Sequence, residues 1–167
     1  DGNDRALEAI MTPDTMPKEV AVKFRLGGVT CTMGGMLKGS GMIHPNMATT
    51  LTFITTDADI SAELLQRALS DIVKVTLNRA SVDGDTSTND MVCVLASGSA
   101  GNKTVCREDE DFEEFETALY AIMMNLARKM ARDGEGATKL IECSVSGAET
   151  EKIAETVAKS VICSSLF

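Results

Sequence analysis

At 167 residues, 44% of them hydrophobic, the chain is long enough for one domain with a real core and too apolar to be disordered. Its net charge of −9 argues against binding a phosphate backbone, so no nucleic-acid partner is expected. No apolar run approaches about 20 residues and no basic segment followed by an apolar stretch opens the chain, so neither a membrane span nor a signal peptide is expected.

Residues 3 to 11 read as the end of a helix, broken by Pro13. Val20, Val22 and Phe24 alternate with Ala21, Lys23 and Arg25, which is strand periodicity. Gly27-Gly28 reads as a tight turn into a second strand, Val29 to Met33, followed by a glycine-rich stretch. Leu51 to Thr55 reads as a short buried strand. Ser61 is a candidate N-cap for a helix to about Asn78, with Leu65, Ala68, Leu69, Ile72 and Thr76 on one stripe. Met91 to Ala96 reads as another strand. Phe112, Phe115, Leu119, Ile122, Met123, Leu126 and Met130 mark a long helix. The seven acids of Glu108–Glu116 fall at its start, where carboxylates favour the positive pole of the helix. Leu140 to Val145 is expected as a strand, and Ile153, Val157 and Val161 as a last helix. A run of strands followed by alternating helices and strands predicts layered sheets covered by helices.

The five cysteines, Cys31, Cys93, Cys106, Cys143 and Cys163, form no CxxC pair. They read as buried, reduced thiols of a reducing compartment. His44 is the only histidine and no second ligand stands near a cysteine, so no metal site is expected.

The densest cluster of chemistry is Lys38-Gly-Ser-Gly-Met-Ile-His-Pro-Asn-Met-Ala-Thr49. Gly39 and Gly41 permit close approach of a substrate, and Pro45 stiffens the segment. A small residue, Ala48, precedes a hydroxyl residue, Thr49, at the entrance to an apolar strand. That arrangement suits attack of the Thr49 hydroxyl on the Ala48 carbonyl, conversion of the peptide to an ester, and release of a new N-terminus by water. Thr49 would then carry a nucleophile beside an α-amine whose pKa near 8 lets it serve as its own general base. Glycine-rich turns before strands are also commonly structural. His44 reads as structural or surface, since the α-amine removes the need for another base.

Three segments resemble signatures of the ornithine acetyltransferase (ArgJ) family: Lys38 to Thr49, Val82-Asp-Gly-Asp-Thr-Ser-Thr-Asn-Asp90 and Asp133-Gly-Glu-Gly-Ala-Thr-Lys139. Met11-Thr-Pro-Asp-Thr-Met-Pro-Lys18 is similar to a fourth, and all occur in the family's order. The resemblance implies an α+β fold, a layered αββα sandwich related to N-terminal-nucleophile hydrolases. It implies self-cleavage between Ala48 and Thr49, so that 1–48 belongs to the end of an α subunit and 49–167 to the start of a β subunit within one continuous structural domain. It implies Thr49 as catalytic nucleophile, and Thr12, Lys38, Thr49 and Glu135 as substrate-binding. Lys38 would suit the α-carboxylate of an amino acid, and Glu135 the amino groups of ornithine. Read without the resemblance, Lys38 is a solvated lysine, Thr12 a hydroxyl capping a helix end and Glu135 an exposed turn residue. The Asp83–Asp90 segment reads as a structural loop beside the site, held by its own short polar side chains. Pro13 and Thr50 depart from the family's pattern. The Ala-Thr junction and the 11-residue step from Lys38 favour Thr49 over Thr50.

The implied reaction moves an acetyl group from N-acetylornithine to glutamate through an acetyl-threonine ester, in the cytoplasm or, in a eukaryote, the mitochondrion. Acetyl-CoA is a further candidate donor, and no cofactor is expected. The resemblance also implies a heterotetramer of two α and two β chains. The family's upstream Thr-Gly oxyanion pair and its C-terminal Asn and hydroxyl contacts have no counterpart here, so both ends of a longer protein are expected to lie outside this segment. Two other readings remain open: a self-cleaving aminopeptidase of the same fold, and a non-catalytic binding domain.

Overall fold

The computed structural model describes residues 2–44, 50–164 and 166. Helix α1 (Gly2–Ile10) leads to strands β1 (Lys18–Leu26), β2 (Val29–Lys38) and β3 (Leu51–Thr56). Helix α2 (Ala62–Val75) and a 3₁₀ turn (Leu77–Arg79) precede β4 (Met91–Ala96), and helices α3 (Glu110–Arg132) and α4 (Glu151–Ile162) follow. The sheet runs β1-β2-β3-β4. The first two pairings are antiparallel and β3-β4 is parallel. A parallel pair needs a long crossover, which α2 and the loop after it supply. The α+β class holds, with one sheet and its helical layer among the described residues.

Alternation builds the sheet's inner face. Phe24 and Leu26 of β1, Cys31, Met33 and Leu37 of β2, and Ile54 of β3 are buried in the core. The long helix lies over them, burying Phe112, Phe115, Leu119, Ile122, Met123, Leu126 and Met130. Phe24 and Phe115 meet edge to face with centroids 6.0 Å apart. Asp109 caps α3 by accepting from the Phe112 amide, and Lys129 and Arg132 occupy its last turn. One acid of the predicted run has a more specific task. Asp111 accepts the Gly27 amide at 2.6 Å and so ties the β1-β2 turn to α3. Ser61 caps α2 as expected, but the buried stripe is centred on Leu64, Ala68 and Ile72, with the expected Leu65 and Leu69 only half-buried at its margin.

Gly35 lets α3 sit directly on the sheet. A Cβ there would lie 3.0 Å from Ile122, 3.2 Å from Ile54 and 3.2 Å from Leu126. Gly35→Ala is therefore expected to lower unfolding free energy by about 1–2 kcal/mol, overpacking outweighing the gain from removing a glycine. Chemical denaturation of the two proteins measures it, and an unchanged midpoint would show that α3 yields.

Several expectations are corrected. The second strand does not stop at Met33 but runs through Gly34 and Gly35 to Lys38, because β3 pairs along this length and supplies the hydrogen bonds. The first crossover helix ends at Val75, where the Thr76 hydroxyl bonds back to the Ile72 carbonyl. Residues 140–145 form no strand, since no neighbouring strand pairs with them among the described residues. Helix α4 exists, but Ile153 and Val157 on its apolar stripe are exposed. Of the five free cysteines only Cys31 is buried, and Cys106 and Cys163 are exposed. No helix among the described residues is long and apolar enough to cross a membrane.

Candidate active site

Three of the four motif segments meet where β2 ends, and a buried ion network fastens them there. Lys18 opens β1 on the inward side and is fully buried. Its Nζ contacts Asp14 Oδ1 at 2.6 Å and also pairs with Asp133, the residue that caps the C-terminus of α3. Two acids facing one cation satisfy a charge that burial would otherwise make very costly. Asp14 reaches further. It accepts the Thr12 amide at 3.1 Å and the Gly39 amide at 2.8 Å. Asp133 accepts the amide and hydroxyl of Thr15. Burial pushes both carboxyls up. For Asp14 the Lys18 hydrogen bond and the Gly39 and Thr12 amides outweigh it, and for Asp133 Lys18 and Thr15 do, so both titrate below the usual carboxylate value.

This network decides where the predicted binding residues go. Thr12 is exposed beside Asp14, and half-buried Lys38 precedes the Gly39 that Asp14 holds. Glu135 is exposed two residues beyond Asp133. Its amide donates to the Ser40 carbonyl at 2.6 Å, which brings the turn after α3 against the turn after β2. Gly41 completes the fit, because a Cβ there would come within 2.7 Å of Glu135 Oε2. Thr12, Lys38 and Glu135 are thus gathered around residues 39–41.

A second acid shapes the next step of the chain. Met42 adopts φ of 56°, a left-handed conformation unfavourable for a residue with a side chain. Asp83 stabilises it by accepting the Met42 amide and the Ile43 amide, the latter at 2.9 Å. The Val82 amide returns to the Ile43 carbonyl at 2.7 Å. The loop expected to lie beside the site therefore works as a clamp on the segment leading to Thr49. His44 belongs to the same clamp: its Nδ1 lies 3.1 Å from Ser81 Oγ, and its carbonyl accepts the Thr86 hydroxyl at 2.9 Å.

Ala48 and Thr49, the expected cleavage site and nucleophile, lie outside the described residues. Description resumes at Thr50, which is buried and held from β4's side. Asp90 Oδ1 accepts the Thr50 amide at 2.8 Å, and the Thr50 carbonyl accepts the Met91 amide at 2.9 Å. Burial pushes the Asp90 carboxyl up, and the Thr50 amide offsets this only in part.

Sequence reasoning assigned no role to Asp14, Lys18 and Asp133. A signal existed for Lys18. The alternation of Val20, Val22 and Phe24 continues backwards to position 18, so the lysine had to face inward and required acids there. Asp14 stands only four residues before that lysine, a spacing that suits the pair, but its hold on Gly39 is 25 residues away, and Asp133 meets Lys18 from 115 residues away, so neither of those contacts had a comparable signal.

Comparison with known proteins agrees with the four motifs. The profile of the ArgJ family matches residues 2–167. The chain is 52% identical over 163 residues to the arginine biosynthesis bifunctional protein ArgJ of Staphylococcus epidermidis, covering 98% of this chain and 41% of that protein. It is 54% identical over 159 residues to the ArgJ protein of Listeria monocytogenes, covering 95% and 40% respectively. The crystal structure of the ArgJ protein of Bacillus halodurans superposes with a TM-score of 0.64 at 53% identity, covering 67% of this chain and 52% of that one. The chain spans about two fifths of the length of the curated relatives it matches. With one family profile running over nearly every residue and relatives above half identity, this chain belongs to the ArgJ family.

Proposed function

We propose that this chain is the part of an acetyltransferase that carries its nucleophile, and that the complete protein moves an acetyl group from N2-acetylornithine to glutamate. The observation that carries this reading is the buried Asp14–Lys18–Asp133 network, which gathers Thr12, Lys38 and Glu135 around residues 39–41, a few positions before Thr49 in the sequence. In this reading the chain cuts itself between Ala48 and Thr49. The Thr49 hydroxyl then adds to the acetyl carbonyl while its α-amine takes the hydroxyl proton. Collapse breaks the amide C–N bond, the proton passes to the departing ornithine nitrogen, and an acetyl-threonine ester remains. The glutamate amine attacks that ester, and the threonine hydroxyl is restored. Lys38 receives the substrate carboxylate and Glu135 the side-chain ammonium.

The test uses the full gene product. Denaturing electrophoresis with N-terminal sequencing is expected to reveal a chain beginning at Thr49, and acetyl transfer from acetylornithine is expected to need glutamate. A single intact chain would remove the nucleophile, and equal deacetylation without glutamate would favour a hydrolase. Assaying acetyl-CoA beside acetylornithine decides whether it serves as a second donor. Sedimentation of the mature protein tests the expected assembly of two α and two β chains.

Glu135 offers a finer test. Glu135→Gln removes the charge that would meet the ornithine ammonium and is expected to raise KM for acetylornithine about tenfold, since charged hydrogen bonds contribute about 1.5–3 kcal/mol. Gly41→Ala should do much the same without touching that charge, because its methyl group displaces the flexible end of Glu135. Steady-state kinetics at fixed glutamate measure both, and an unchanged KM in Glu135→Gln would take Glu135 out of the binding site.

A further inference from the structure

The turn from Ser40 to Met42 runs between two held points. On one side Asp14 holds the Gly39 amide at 2.8 Å. On the other, Ile43 is fully buried and its carbonyl accepts the Val82 amide at 2.7 Å. A change in the φ of Met42 therefore cannot be passed downstream, and must move Gly41 and Ser40. Those are the residues on which Glu135 rests. Its amide donates to the Ser40 carbonyl at 2.6 Å, and its Oε2 would lie 2.7 Å from a Cβ placed on Gly41. Where the Glu135 carboxylate sits thus depends on the conformation of Met42.

Met42 has φ of 56°, which a residue with a side chain adopts only at a cost. Successive amides around such a residue can turn to one side and form a concave seat for an anion. Asp83 occupies that seat: Oδ2 accepts the Met42 amide and Oδ1 the Ile43 amide. Hydrogen bonds to a charged acceptor are about twice as strong as neutral ones, so the carboxylate offsets what the left-handed turn costs. Resting on the reading of Glu135 as the receiver of the ornithine ammonium, we infer that Asp83 is a positioning residue for substrate recognition. It keeps Met42 left-handed, and the Ser40-Gly41 turn so formed seats Glu135 to meet the ammonium.

Kinetics of the full gene product separate this role from loss of charge or of fold. Asp83→Ala removes both acceptors. Adding Met42→Gly restores the turn without the carboxylate, because glycine takes positive φ at no steric cost. KM is the readout, since it does not depend on the fraction of chains that have folded and matured. The first measurement is Glu135→Gln: an unchanged KM for acetylornithine ends the reading of Glu135 and this inference with it. Given a raised KM there, Asp83→Ala is expected to raise KM for acetylornithine at least about fivefold. KM for N-acetylnorvaline, which has the same carbon chain without the ammonium, is expected to stay within about twofold of wild type. Adding Met42→Gly is expected to return the acetylornithine KM to within about twofold. An acetylornithine KM unchanged in Asp83→Ala overturns the inference while leaving Glu135 in place. An equal rise for N-acetylnorvaline also overturns it, as general disturbance of the site. A rise that Met42→Gly fails to lower does so too, since the Asp83 charge itself would then attract the ammonium. Should Asp83→Ala yield no mature protein, a crystal structure of the mature wild-type protein with acetylornithine decides. Asp83 is expected on the Met42 and Ile43 amides, with Glu135 within about 3.2 Å of the ammonium nitrogen. An Asp83 oxygen bonded to the ammonium, or a negative φ at Met42, overturns the inference.

Discussion

Replacing Thr49 with alanine in the full gene product is expected to leave a single uncut chain and to reduce acetyl exchange by about ten-thousand-fold or more. Removing a covalent nucleophile has effects of that order, because binding and electrostatic stabilisation alone support only the residual rate. Cleavage and transfer should disappear together, since one hydroxyl performs both attacks. Thr49→Ser separates them from mere steric disturbance: it keeps a hydroxyl and an α-amine and should retain cleavage and measurable exchange. Thr50→Ala tests the neighbouring hydroxyl and should still release a chain beginning at residue 49. Mass spectrometry of the products and a glutamate-dependent assay read all three variants. Persisting exchange in Thr49→Ala would require another nucleophile.

The second large effect concerns stability. Lys18→Met keeps the apolar length of the side chain but leaves Asp14 and Asp133 facing one another without a cation. Breaking a buried pair by removing one partner costs about 3–5 kcal/mol, a large share of the total stability of a domain this size. Chemical denaturation at neutral pH should show that loss. Its pH dependence has a definite sign. Both acids titrate below their unfolded values in the native protein. Their stabilising contribution is therefore complete above the ordinary carboxylate value of about 3.9, and is lost as pH falls through the lower folded values. In Lys18→Met the order reverses, because protonation relieves two unpaired buried acids. The stability gap between the two proteins should narrow on acidification, and a gap that stayed constant with pH would show that Lys18 matters only for packing.

Sequence and structure agree best where order is local. The stripe from Phe112 to Met130, the cap at Ser61 and the glycine turn at Gly27-Gly28 depend on residues a few positions apart, and each occurs as expected. Disagreement arises where a distant neighbour decides. Gly34 and Gly35 look like loop residues until β3 is known to pair beside them and α3 is known to need the space above Gly35. Residues 140–145 alternate like a strand, yet alternation produces none without a partner to bond. The site follows the same division. The motifs named Thr12, Lys38 and Glu135, but not the network joining them, since hydrogen bonds spanning a hundred residues leave no periodic trace. Asp83 was read as holding its own loop. It does accept the Asp85 amide, but its larger task is to hold Met42 and Ile43, some forty residues away.

The pairing of β2 with β3 gives a break between residues 48 and 49 an unusual meaning. Six cross-strand positions, from Met33 opposite Thr56 to Lys38 opposite Leu51, would then join two separate polypeptides inside one continuous sheet. The helix α3 would belong to one product while resting on β1 and β2 of the other, and Lys18 would bridge acids from both. Such halves could not be diluted apart or exchanged with tagged copies under native conditions. Separation would demand the same disruption as denaturing the domain, so their dissociation would follow the unfolding curve.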